Sequence, residues 1–268
     1  MAKGIAYTKH LDLTQTKGVY ERPVENWDFI YEVSTTKNPQ YDIGDRVVLP
    51  DGREFRYAKS SGECKPGQGC KFTYSGYTAY TALGVSTAIG ATEITIAAAT
   101  HAALTQDELR GGYVVIYNDA TSTGIFRGIV GNDVADANAA FVVYLDGKLA
   151  AACVAGTAAT ETFQNPYAAL VTSNGAHPVS FAGVPAAYVS ATGKYFFVQT
   201  KGPCWLAPQT SSVGAAGGIG CMFRHDGSLE AVVTALTATV PAGDNTQYAG
   251  FVLEGSQATN GPLFMLQG

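Results

Sequence analysis

The sequence predicts an all-β protein: antiparallel β-sandwich or barrel modules, with an extended N-terminal arm and one short connector helix. Three observations predict it. From Tyr41 onward, short apolar runs alternate with turn residues. Asp-Gly, which accepts the positive φ of a tight turn, occurs three times, each time between strand-forming residues. Strand patterns do not alternate with helical ones, as a parallel sheet with crossover helices would require. At 268 residues the chain is long enough for one large β domain or two to three smaller ones.

Residues 1–40 are polar but carry spaced aromatics, Tyr7, Tyr20, Trp27, Phe29 and Tyr31, with no helical or strand period organising most of them. Each ring offers a large apolar area to whatever covers it. The segment therefore reads as an arm laid across a neighbour's surface, with these five residues as protein-interaction anchors, or as an arm folded back on its own domain. On the first reading, its removal weakens attachment and leaves the β domains folded. A first β-rich region follows at 41–165 and a C-terminal barrel or sandwich domain at 166–268.

Each predicted element has a local cause. Val47 and Leu49, then Asp51-Gly52, then Phe55 and Tyr57 form a hairpin pattern, repeated in 141–149 around Asp146-Gly147 and in 221–232 around Asp226-Gly227. Further strand patterns occupy 93–97, 113–117, 125–130, 195–200, 248–254 and 263–266. A connector helix is predicted at 105–110, where Thr105 and Glu108 have capping-box spacing and Gly111-Gly112 terminates the run.

Composition narrows the function. Charged residues make up 15% of the chain, against about 25% in an ordinary soluble domain. Such a surface loses little when another protein covers it, because few charges must be desolvated. A net charge of −5 without a Lys/Arg cluster argues against binding nucleic acid. The most apolar run, 149–159, is broken by glycine and falls short of the ~20 residues that span a bilayer. The first residues lack the apolar stretch of a secretory signal, so synthesis in the cytoplasm is expected.

The residues that carry chemistry do not converge in the sequence. His10, His101, His177 and His225 stand singly, without metal-ligand spacing, and read as loop or surface residues. The Gly-x-Ser-x-Gly nucleophile turn is absent. The glycine cluster 214–220 superficially resembles a phosphate loop, but it leads into a hairpin rather than a helix. Asp42 with Asp45, and Asp107 with Glu108, lie where turns and caps call for carboxylates. Tyrosines leave sugar binding open, although in β proteins they more often pack in cross-strand pairs. Cys64, Cys70, Cys153, Cys204 and Cys221 read as buried free thiols, with a Cys64–Cys70 disulfide across the intervening turn as the alternative. No catalytic residue, cofactor or metal is assigned.

Four stretches, GDRVVLPDGREFRYAK (44–59), ALTQDELRGGYVVIYND (103–119) with GIFRGIVGN after it, NPYAALV (165–171) and VPAAYVSATGKYFFVQTKGPCWLAP (184–208), resemble tailed-bacteriophage virion structural proteins of the capsid decoration, or cement, type. The resemblance implies a non-enzymatic protein on the capsid surface, bound in many copies to the major capsid protein, with a homo-oligomer expected and a trimer favoured. A tail fibre, spike or other receptor-binding virion component is the alternative. Cys64, Cys70 and Cys204 depart from the family pattern.

Overall fold

The computed structural model describes residues 27–73, 76–118, 124–173, 180–208, 213–214, 219–232, 247–255 and 262–267. It is all-β. Sixteen antiparallel strands are described, with two single 3-10 turns, Asp28–Tyr31 and Pro166–Ala168, and one helical residue, Val232, at the edge of the described chain. The chain forms two compact units, one made of 1–73 with 167–268 and the other of 74–166. The sequence-based division was drawn at 40/41 and 165/166; these units meet at 73/74 and 166/167. Residues 41–73 belong with the C-terminal region because their strands find hydrogen-bond partners there.

In the first unit, β1 (Arg46–Val48) and β2 (Glu54–Lys59) form the predicted hairpin. Leu49 N–H donates to Arg53 O (2.8 Å) and Gly52 N–H to Leu49 O (3.0 Å), so three residues make the loop. Gly52 supplies its positive φ, 86°. The hairpin of β13 (Gly220–Phe223) and β14 (Leu229–Ala231) repeats this bonding, from Arg224 to Ser228 (2.9 Å) and from Gly227 to Arg224 (2.8 Å), with Gly227 at φ 85°. The same local chemistry thus builds the same turn 175 residues later.

Strand β12 (Tyr195–Trp205) organises this unit. Its first half pairs with β2 on one side and with β11 (Phe181–Pro185) on the other, and β11 continues through β3 (Cys70–Phe72) to β10 (Leu170–Thr172). Its second half, after Gly202, pairs with β16 (Leu263–Leu266), which leads through β15 (Tyr248–Glu254) to β13 and β14. Both halves curl. A bridge between Ser60, just past β2, and Leu170 of β10 closes the first, and one between Pro208 and Leu229 joins the outer ends of the second.

Strand alternation sends opposite faces of β2 and β12 into separate cores. Tyr57 and Phe197 face an aromatic cluster with Phe29, Ile30 and Tyr41, while Ala58 and Phe196 join Cys64, Cys70 and Leu170. A further core, centred on Phe181, Phe223, Leu229 and Phe264, fills the second half.

The second unit is one sheet in the order β4 (Gly76–Ala82), β9 (Ala159–Phe163), β6 (Tyr113–Tyr117), β7 (Gly124–Asn132), β8 (Phe141–Leu145), β5 (Glu93–Ile96). It curls until its first and last strands touch, bridged at Leu83 and Ile96, with Gly84 N–H on Thr95 O (2.8 Å) and Ala97 N–H on Ala82 O (3.0 Å). Closure removes the free edges that invite aggregation. Val114, Ile116, Phe141, Val143 and Leu145 alternate inward to fill it.

Two local expectations fail here, for physical reasons. Residues 105–110 form turns instead of a helix. In a helix Leu109 N–H would bond Thr105 O, but the buried Asn132 side chain takes both groups, accepting from Leu109 N–H (2.7 Å) and donating to Thr105 O (2.9 Å). The capping-box contact survives, with Thr105 N–H on Glu108 Oε2 at 2.9 Å. Asp146-Gly147 closes no hairpin, since β8 pairs with β5 and β7 instead. Asp146 N–H bonds Gly128 O (2.9 Å) and Leu149 N–H bonds Ala91 O (2.8 Å), carrying the buried Leu149 into the core.

Candidate interaction surfaces

The predicted aromatic anchors divide. Tyr7 and Tyr20 lie outside the described residues. Phe29 is 7% exposed, stacked on Tyr41 (6.1 Å) and edge-on to Phe197 (5.7 Å), so its own unit uses it. Trp27 is half-buried against the same cluster. Tyr31 is exposed, its hydroxyl accepting from Arg53 Nη1 (3.0 Å). The described end of the arm, 27–40, is thus folded back, and cutting at residue 40 removes the core side chains Phe29 and Ile30.

A different surface of this unit is apolar and open. Residues opposite one another in register share a face. The outer face of β12, β16, β15 and β13 therefore carries three rows: Trp205 with Leu263; Pro203 with Met265, Phe251 and Gly220; and Tyr248 with Met222. Trp205 is 50% exposed, and Leu263 and Tyr248 are 47% exposed. Glu254, opposite Leu263, and Glu230, opposite Met222, end two of the rows. The Trp205 ring lies over the backbone of Gly67 in the turn between Cys64 and Cys70, so closely that any Cβ there would collide with it.

The second unit carries an aromatic band on its outer face. Register aligns Tyr113 with Gly128 and Phe163, Val115 with Phe126 and Glu161, and Tyr117 with Gly124 and Ala159. Tyr113 stacks on Phe126 (5.2 Å, 19° between planes), and Tyr80 of β4 meets Tyr117 at 5.4 Å. The Tyr117 hydroxyl donates to Glu161 Oε2 (3.0 Å), which raises the phenol's pKa. Beyond Tyr80, an open groove of about 430 Å³ runs between 79–82 and 98–100, lined by alanine methyls and the threonines Thr81 and Thr100.

Among the described residues, reactive groups do not gather on either face. Burial pushes the Cys204 thiol up to about 12 and that of Cys221 to about 11, and raises Cys70 and Cys153 as well. Thiols held protonated at neutral pH are poor nucleophiles and poor metal ligands. All five cysteines are free, four of them buried. Among carboxylates, Glu54 is held below its ordinary value by the Arg46 guanidinium (2.5 and 2.9 Å), and Glu63 by the Tyr188 hydroxyl (2.5 Å).

The acidic pairs take the turn and cap roles expected of them. Asp45 Oδ2 accepts from Asp42 N–H (2.9 Å), and Glu108 caps Thr105. His101 lies in a loop, one of the two expected settings, but it is buried. It is 8% exposed, packed edge-on to Phe141 (5.0 Å), with ring nitrogens 2.6 Å from Ala102 O and 2.7 Å from Ala139 O. His225 lies in the β13–β14 turn, and His10 and His177 fall outside the described residues. No group of three or more His, Cys, Asp or Glu that could hold a metal ion occurs among the described residues, and no described helix is long and apolar enough to cross a membrane.

Sequence reasoning did not find either face. A trace of each was present: YVVIY (Tyr113–Tyr117) alternates aromatic with aliphatic residues, but both sets are apolar, so the pattern alone does not say which faces out. Comparisons with protein-family models, curated proteins and solved structures find no match.

Proposed function

We propose that the chain is a non-enzymatic capsid decoration protein, made in the host cytoplasm and bound as a homo-oligomer, a trimer by preference, to the outside of a phage major capsid protein shell. The observation that carries this reading is the open apolar face around Trp205, Leu263 and Tyr248, with its two rim glutamates. A face without charge at its centre is cheap to desolvate, and a half-exposed tryptophan is the residue type that dominates protein interfaces. Multiplied over a lattice, one modest contact per copy raises the cost of separating capsid subunits. The four sequence stretches that resemble decoration proteins support the same reading.

The test is binding to expanded shells of the phage that encodes the chain, stripped of the native protein. Saturation at a copy number comparable to the major capsid protein is expected, with Trp205→Glu and Leu263→Glu each weakening attachment at least tenfold while the protein stays folded. A few copies per particle would move the assignment to the tail or receptor-binding alternative. Full occupancy by both variants would remove this face from the account.

A further inference from the structure

We propose that the aromatic band and adjoining groove of the second unit form a binding site for a neutral polysaccharide, a function beyond capsid attachment and independent of it. The band carries two ring pairs, Tyr80 with Tyr117 and Phe126 with Tyr113, at centroid separations of 5.4 and 5.2 Å. Tyr113 and Tyr117 are four residues apart on one strand, which sets these two rings about 13 Å apart along β6, more than one sugar ring, with Phe126 in the Val115 row between them. Tyr80 is 66% and Phe126 59% exposed, far more than packing in cross-strand pairs alone requires. Flat rings on the outer face of a small β-barrel offer stacking surfaces for the apolar faces of sugars, as such barrels do for oligosaccharides and bases.

Charge decides between those two ligand classes. Of the nine residues that register aligns in the three rows, Glu161 alone is charged. Its carboxylate, bonded by the Tyr117 hydroxyl, repels a phosphate or sulfate chain but accepts hydrogen bonds from sugar hydroxyls. The groove past Tyr80 continues the same chemistry, with two threonines, alanine methyls and no charged residue in its lining. A nucleic acid would need a basic track along this face, whereas an uncharged polyhydroxylated chain meets rings, methyls and acceptors in turn.

The experiment is affinity electrophoresis of the full chain through gels containing dextran, yeast mannan, a soluble β-glucan or dextran sulfate. Retardation is expected in at least one neutral gel and not in dextran sulfate. Tyr80→Ala and Phe126→Ala, both at exposed positions, should each weaken it about tenfold, the scale of one lost stacking contact, while Trp205→Ala leaves it unchanged. Phe126→Leu, which keeps apolar area but removes the flat ring, gives the same answer if an alanine variant loses its circular dichroism spectrum. The proposal is overturned by no retardation in any neutral gel, by retardation in dextran sulfate alone, or by variants that bind like the parent. Dissociation of an oligomer by Tyr80→Ala in the absence of polysaccharide binding would also overturn it, assigning the band to contact between copies.

Discussion

Replacing Phe29 by alanine separates an arm that reaches outward from a segment that belongs to its own core. Phe29 is 7% exposed and touches Trp27, Tyr41 and Phe197 at ring separations of 6.1, 6.1 and 5.7 Å. Truncating such a side chain removes its transfer free energy and leaves a cavity that aromatic neighbours refill poorly, a cost of about 3–5 kcal/mol. With a urea slope of about 2 kcal/mol per molar, the unfolding midpoint falls by about 2 M. Both tryptophans of the chain, Trp27 and Trp205, lie in the first unit, so their emission during a urea titration reports that unit alone. Tyr31→Ala is the internal comparison: its ring is 48% exposed, and its loss costs about 1 kcal/mol or less. A Phe29→Ala midpoint no lower than that of Tyr31→Ala would refute the folded-back assignment and restore Phe29 as an outward anchor.

The two three-residue turns make a paired prediction. Gly52→Ala meets nothing within 4 Å and should cost only the strain of a positive φ, about 1–2 kcal/mol, whereas Gly227→Ala, whose Cβ falls 2.6 Å from Gly69 O, should lower the same urea midpoint by clearly more. Because burial raises the pKa values of Cys70, Cys153, Cys204 and Cys221, their thiolate fraction at pH 8 is small. Iodoacetamide should therefore label the native protein slowly and add five alkyl groups in urea without reductant. A mass increase of only three would establish a disulfide and contradict the free thiols.

Sequence alone determined what local backbone preference decides. Strands 113–117, 248–254 and 263–266 lie where alternation placed them, and Asp51-Gly52 and Asp226-Gly227 turn the chain as expected, because a glycine's access to positive φ needs no distant partner. Tertiary structure decided everything that depends on residues far away in the chain. The dipeptide Asp146-Gly147 has the same chemistry as the other two, yet β8 pairs elsewhere, and the 105–110 segment loses its helix to a side chain more than twenty residues on, Asn132. Likewise, Phe29 became core because Phe197 lies beside it, while Phe126 on Tyr113 and Trp205 over Gly67 are each left about half exposed by the described residues. Hydrophobicity says that a ring gains by leaving water; only the folded arrangement says which rings found a neighbour inside their own chain and which still present a face to another molecule.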